Sequence, residues 1–313
     1  PRLEHKKSEA LNKAWVRYGL NADIIVCLDA DTICPPDTIR QWELDFVDGE
    51  MALQSRQGKK PRQTQRLGGV SSKATMPKPG FWSRLQKAEF AKWTDTSLIR
   101  GYTTVLAGTG CAIDNEVLRQ IVSETGRPGP WSYTSAVEDF ELTTQIRIRG
   151  YRCIVSPHVR VYTDSMTTLR TLWPQRMKWA TGTIEELFNH GFNRYTIVDW
   201  SQQALGLFML FARLLWVTLI ACQVTVGFLR FDWFWWVLFP LSLAIVELWF
   251  TSRIPNADWK DRLLAATIVP YEIFGWIRAA WFAASWYAVL CSKLTGRRKD
   301  RWEAQYRAEG IFS

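Results

Sequence analysis

Hydrophobic and polar positions along the chain change pattern several times, and each pattern predicts an element. Over Lys6 to Tyr18, Ala10, Leu11, Ala14 and Trp15 recur at helical spacing, and Gly19 closes the run. Ile24 to Asp31 (IIVCLDAD) is apolar, too short for a helix and followed by Pro35 and Pro36, so it reads as a buried strand ending at Asp29. Gln54 to Gly80 is polar, basic and rich in Gly and Pro with no sustained period, which predicts a mobile loop. Leu85, Ala88, Glu89, Phe90 and Trp93 restore helical spacing. Val105 to Ile113 (VLAGTGCAI) is an apolar run broken by glycines, the pattern of a strand with a bulge or a close approach by backbone or ligand. Leu142 and Ile146 give a stripe that puts Glu138 and Asp139 in the first turn of a helix, Ile154 to Tyr162 is a short strand, and Leu169 to Leu187 is an amphipathic helix that Pro174 would bend or reset.

The remaining chain is apolar. Gln203 to Leu229 carries only Arg213 as a charge and exceeds the roughly 20 residues needed to cross a bilayer. Trp233 to Phe250 predicts a returning span after a short turn at Arg230 to Asp232. Leu263 to Leu290 holds Pro270, Glu272 and Arg278, and mid-span charges are costly, so this stretch is expected to face the protein interior or to lie at the interface.

Composition sharpens the division. A chain of 313 residues with 47% hydrophobic residues suits about two domains. Of its 18 Trp, 13 fall from Trp173 onward, and Trp beside apolar runs marks a membrane interface. The net charge of +9 is then read as cytosolic flanks of membrane spans, and no nucleic-acid partner is expected. The basic run Gly296 to Arg301 belongs on the cytosolic side, which with a cytosolic catalytic half requires an even number of crossings. Six cysteines without a CxxC pair, and three His, suggest neither a disulfide framework nor a zinc site. No signal peptide is visible after Pro1, and an upstream portion is expected to exist.

Two acidic pairs carry the candidate chemistry. Asp29 and Asp31, two apart on a strand, share a face at its carboxyl end, where open α/β sheets bind ligands, and two carboxylates completed by substrate phosphates are the usual setting for Mg²⁺. The same pair also reads as a strand running into an Asx turn. Asp139 reads as a carboxylate complementing a helix dipole or as a general base.

These segments, in this order, resemble family 2 glycosyltransferases of the processive type, the cellulose, chitin, hyaluronan and poly-N-acetylglucosamine synthases. The resemblance runs from Lys7-Ser8-Glu9-Ala10-Leu11-Asn12 through Asp29-x-Asp31, Gln86-x-x-Glu89, Gly108-Thr109-Gly110, Val137-Glu138-Asp139 with Gly150-Tyr151-Arg152 after it, and Gln175-x-x-Lys178-Trp179, to Trp302. It implies an α/β domain of GT-A type, incomplete at its amino terminus, over residues 1–163, then an interfacial helix region at 164–200, membrane helices at 201–295 and a basic cytosolic tail at 296–313. It implies a multi-pass protein of the cell membrane and inverting transfer from a nucleotide sugar, a UDP-sugar class donor, to a growing β-linked polysaccharide. Transfer of one sugar to a lipid acceptor and a non-catalytic protein with a decayed fold are the alternatives. Asp139 would be the base, with Glu138 beside it, and Asp29 and Asp31 would hold Mg²⁺ or Mn²⁺. Lys7, Arg176 and Lys178 would face the donor phosphates, and Gly108, Thr109, Gly110, Gln175 and Trp179 the acceptor, a glycan or lipid-linked molecule at the membrane lipid. Lys178 stands where the family pattern has Arg, and Val137 where it has Thr. A separate chain supplying the missing half is an implied partner.

Overall fold

The computed structural model describes residues 6–54, 65–228, 232–254, 257–296 and 301–310. The chain falls into two compact units, Pro1–Met166 and Thr167–Ser313.

The first unit is a sheet covered on both faces. Helix α1 (Lys6–Ala14) runs through a π-helical turn at Trp15–Gly19 into β1 (Ile24–Cys27), and α2 (Thr38–Gln54) follows. Then come β2 (Leu67–Thr75), α3 (Phe81–Arg100), β3 (Cys111–Asp114), α4 (Asn115–Thr125), α5 (Glu138–Ile148) and β4 (Arg152–Tyr162). The strand order is β1-β3-β2-β4, with β3 antiparallel to both neighbours and β2 parallel to β4. Strands β1, β2 and β4 therefore all point one way, and their carboxyl ends share one edge of the sheet. Ile33 bridges to Tyr162 at the end of β4, which pins the segment after β1 to that edge.

Strand β3 shows how the two layers arise, because its alternate residues feed different cores. Cys111 and Ile113 join Val117, Leu118, Ile121, Leu142 and Ile146 on one face, while Ala112 joins Trp42, Val70 and Val161 on the other. Buried Asn115 fixes the entry to β1. Its amide donates to the carbonyls of Gly19 and Ala22 at 2.7 and 2.6 Å, and its carbonyl accepts from Trp15 Nε1 at 2.7 Å.

Several expectations are corrected here. Strand β1 stops at Cys27, before the acids, and it is a partly buried edge strand of the described sheet. Asp29 and Asp31 lie in a turn, in which Thr32 N donates to Asp29 O at 3.0 Å. The stretch read as a loop contains β2, buried along nearly its whole length; residues 55–64 of that stretch lie outside the described residues. Its glycines hid it, yet they are what it needs: a Cβ at Gly68 would meet Ile146 and Tyr151 at 2.6 Å, and one at Gly69 would meet Leu106 at 2.3 Å. Of Val105 to Ile113 only the end is strand. Its glycines serve close approach, since a Cβ on Gly110 would meet Ser72 Oγ at 2.9 Å.

The second unit begins with α6 (Leu169–His190), capped by the Thr168 side chain and continuous through Pro174, so Pro174 does not restart the helix. Next come α7 (Ile197–Val226), a π-helical segment at Phe234–Leu238, α8 (Phe239–Ser252), α9 (Trp259–Ala266), α10 (Ile268–Thr295) and α11 (Arg301–Ala308). The expected turn at Arg230 to Asp232 and the basic run at Gly296 to Arg301 lie largely outside the described residues. Two described helices are long and apolar enough to cross a membrane, Ile197–Val226 and Val269–Thr295. The second of these lies largely in the stretch expected to face the protein interior or to lie at the interface, while Trp233 to Phe250 forms the π segment and the 14-residue α8. Two features excuse the polar residues of α10. Pro270 stands in the first turn, where its missing N–H costs no hydrogen bond, and Glu272 meets Arg213 of α7 at 2.6 Å.

Helices α7 and α10 are antiparallel: Gln203 contacts Trp286 while Arg213, further along α7, contacts Glu272, earlier on α10. Both α10 and α11 pack on α6, with Lys178 Nζ 3.2 Å from the centre of the Trp302 ring. The helices flanking the apolar segment therefore meet at one end of it.

Candidate active site

Helix α1 and the sheet edge bring three charged side chains together. Lys7 Nζ lies 2.6 Å from Asp29 Oδ1 and 3.0 Å from Glu138 Oε1, so one ammonium bridges the turn after β1 and the first residue of α5. Burial alone would push the Lys7 pKa down, but Glu138 and Asp29 outweigh it and the net shift is upward. A group raised in this way contributes its stabilisation fully below its unfolded value and loses it only as pH climbs past the folded one. The bridge therefore stays charged throughout the neutral range.

A small recess lies beside this bridge. Glu138, Asp139, Lys7 and Gly108 form its polar part, and Cys27, Cys111, Leu106, Leu142 and Trp131 form its apolar part. Gly108 lies against the bridge: a Cβ there would come 2.7 Å from Lys7 Nζ, which would have to shift, and about 3.5 Å from the Asp29 carboxylate. Gly108 thus abuts the cation and the Asp29 carboxylate. Asp139 sits in the first turn of α5, where Oδ1 accepts from Phe140 N at 2.8 Å and the preceding Val137 supplies no side-chain cap. Asp31 is exposed, and Thr163 Oγ1 donates to its Oδ2 at 3.4 Å. Among the described residues, buried hydroxyls of Thr32, Ser72 and Thr109 have no hydrogen-bond partner, and all three flank the Asp29 to Asp31 and Gly108 to Gly110 turns. Unsatisfied hydroxyls cost free energy unless a ligand completes them.

No group of three or more metal-type side chains occurs among the described residues. A divalent cation nevertheless fits the chemistry of the turn: Asp29 and Asp31 offer hard oxygen donors at the sheet edge, one of them exposed, and Mg²⁺-type sites draw their other ligands from phosphate and water.

Two supports of the recess were not read from the sequence. Asn12 is 1% exposed and clamps the backbone of Trp131, donating from Nδ2 to its carbonyl at 2.8 Å and accepting from its N–H at 3.0 Å. Arg127 makes two bonds to Glu141, at 2.6 and 3.1 Å, tying the start of the same loop to α5. An Asn one helical turn and a half after Lys7 was the available signal for the first; nothing in the spacing of Arg127 and Glu141 announces the second. The thiols of Cys27 and Cys111 are hydrogen-bonded to each other, which pushes Cys111 up and Cys27 down, burial adding to the first and opposing the second.

The residues taken from the Gln-x-x-Lys-Trp motif belong to the second unit. There Arg176 lies over the rings of Trp179 and Trp281, 4.6 and 5.9 Å from their centres, and Lys178 lies over Trp302. Both cations are buried, at 4% and 6% exposure, so within their unit they serve as cation–π anchors. Gln175 is half-buried on the same helix. Gln86, of the Gln-x-x-Glu segment, clamps the backbone of Met166 through both its amide atoms, and Glu89 one turn on is buried.

A sheet whose parallel strands end at a carboxylate-bearing turn, next to a lysine and a helix-start acid, defines a ligand-binding α/β domain. The pattern described as glycosyl transferase family group 2 matches residues 24–250, and the chain belongs to that family. It is similar to beta-monoglucosyldiacylglycerol synthase of Synechocystis sp., at 25% identity over 193 residues, 60% of this chain and 34% of that protein. It is also similar to poly-beta-1,6-N-acetyl-D-glucosamine synthase of Staphylococcus aureus, at 23% identity over 192 residues, 60% of this chain and 41% of that protein. The chain thus spans between about a third and two fifths of the length of these relatives. A solved structure, a mannosyltransferase from Pyrobaculum calidifontis in complex with GDP-Man and Mn²⁺, covers 91% of this chain and 66% of its own at a TM-score of 0.49 and 17% identity.

Proposed function

We propose that this chain carries the carboxyl-terminal part of a catalytic domain of GT-A type and the membrane helices of an inverting glycosyltransferase. It moves a sugar from a nucleotide sugar of the UDP class to a growing β-linked polysaccharide at the cell membrane. The observation that carries the reading is the Lys7 bridge between Asp29 and Glu138, with Lys7, Glu138, Asp139 and Gly108 lining one recess. Lys7 sets a fixed positive charge where a departing diphosphate gathers negative charge, the kind of preorganised stabilisation that dominates such transfers. Asp139 takes the proton from the attacking hydroxyl of the acceptor. Glu138, committed to the ammonium, holds Lys7 in place. Thr32 and Thr109 offer hydroxyls to the donor. Asp29 and Asp31 would hold Mg²⁺ or Mn²⁺, which when bound supplies Lewis-acid stabilisation of the diphosphate.

The full chain is expected to bind a donor in the presence of Mn²⁺ and to release nucleoside diphosphate, tested with UDP-N-acetylglucosamine, UDP-glucose and GDP-mannose. Asp31→Ala, at an exposed turn position, is expected to fold and to lose the Mn²⁺-dependent part of that binding. Unchanged Mn²⁺-dependent affinity in this variant removes Asp31 from the site. The similarity to a glycolipid synthase favours a second reading, one sugar transferred to a lipid acceptor. Product length separates the two, a ladder for polymerisation and one added sugar for the lipid.

The meeting of α6 and α11 supports an even number of crossings between them. A reporter fused after Ser313 is expected to be cytosolic, and an external reporter refutes this topology.

A further inference from the structure

Cys27 and Cys111 are direct partners in the antiparallel pairing of β1 with β3. Residues opposed in this way have Cα atoms about 4.5 or 5.5 Å apart, and both spacings fall inside the range that disulfides bridge. Both cysteines line the recess, which gives a small reagent a path to them. Their places in the chain matter as much. Cys27 stands two residues before Asp29, and Cys111 directly follows Gly110. The two turns that form the mouth of the site thus each hang from one of these cysteines.

We infer that Cys27 and Cys111 form a dithiol modification site in the floor of the recess, open to two-electron oxidants of the peroxide class, and that its closure to a disulfide shuts the site above it. The coupling to the site rests on the function proposed above; the dithiol itself does not. One thiol attacks the peroxide, the O–O bond breaks, and a sulfenic acid and one water form. The second sulfur displaces the hydroxyl, which leaves as the second water with the remaining thiol proton, and the S–S bond forms. Two electrons pass from the thiol pair to one peroxide. The sulfurs then sit about 2.05 Å apart. β1 is an edge strand held in the described sheet on one side only, so it is the element that shifts, and Asp29 shifts with it. The other thiols are built-in controls. Cys153 is absent from the recess lining, with its thiol pushed up to about 12 by burial, while Cys34, Cys222 and Cys291 are at least partly exposed and are free cysteines.

The test treats the full chain in detergent with hydrogen peroxide and maps linked peptides by mass spectrometry. A Cys27–Cys111 peptide pair lighter by two hydrogens is expected, with donor turnover lowered by about 10²-fold, the scale of a misplacement of about 1 Å at a reacting centre. Dithiothreitol is expected to reverse both. Turnover by Cys27→Ser and by Cys111→Ser, whatever its level in each, is expected not to respond to peroxide. The inference is overturned if exposed Cys222 oxidises while no Cys27–Cys111 link forms, if the link forms without a change in turnover or Mn²⁺-dependent donor binding, or if the serine variants respond as the parent does. An untreated chain that binds no donor but forms the link refutes the proposed function and the coupling, and leaves the dithiol standing.

Discussion

Asp139→Asn is expected to keep donor binding and to lower turnover by about 10²- to 10⁴-fold, the range typical for removal of a general base. The amide is isosteric, and its oxygen can still accept the 2.8 Å hydrogen bond from Phe140 N, so the start of α5 stays formed. What it cannot do at neutral pH is take a proton. A purely helix-terminal role makes the opposite prediction, because Asn caps a helix about as well as Asp and activity would survive. Glu138 is the nearest alternative base, but its Oε1 is engaged by Lys7 Nζ at 3.0 Å. Parallel measurement of Mn²⁺-dependent donor affinity and nucleoside diphosphate release in parent and variant decides the matter. Equal turnover makes Asp139 a structural acid.

Elements whose side chains repeat at one face were legible in the sequence: α1, α3, α5, α6 and β4 all lie close to where periodicity puts them. Strand β2 was not. A strand buried on both faces shows no alternation, and here it is built from glycine and serine because Ile146, Tyr151 and Leu106 press against it. Helix α4 was readable and passed over: Asp114 accepts from Glu116 N as a cap, and Val117, Leu118 and Ile121 form its buried stripe. Among the apolar helices, the sequence marked Glu272 as a costly charge in α10 but does not reveal that it meets Arg213 across a helix pair.

The site was legible as types of residue and not as a constellation. Lys7, Asp29, Gly108, Glu138 and Asp139 were each picked out by a motif, and the structure brings four of them to one recess, with Asp29 bonded to Lys7 beside it. That Lys7 bridges Asp29 to Glu138 depends on the crossing of α1 over a sheet edge, which no local pattern encodes. The basic residues of the Gln-x-x-Lys-Trp segment also carry a packing role that their charge did not announce: Trp179, Trp281 and Trp302 supply aromatic faces to the two cations within the second unit.

Arg127→Met is expected to be among the most destabilising single changes in the first unit, by about 3 kcal/mol, the lower end of the cost of stripping one partner from a buried ion pair. Glu141 is 3% exposed in its side chain, and without the guanidinium its buried carboxylate keeps one hydrogen bond from Gln145 Nε2 at 3.0 Å. The lower end applies because Arg127 is itself 23% exposed, so water reaches part of the vacated space. For a unit of this size such a loss lowers the thermal midpoint by about 6–12 °C. The double variant Arg127→Met, Glu141→Met is expected to recover much of it, since an apolar pair of similar volume leaves no buried charge behind. The effect also reaches the recess. Arg127 anchors the loop that delivers Trp131 to the recess wall, and Asn12 grips that loop only at Trp131 itself. The single variant is therefore expected to lose turnover as well as stability, with the double variant regaining stability more fully than turnover. A midpoint lowered by less than about 2 °C in Arg127→Met, or a double variant no more stable than the single one, would show that the pair does not hold the loop.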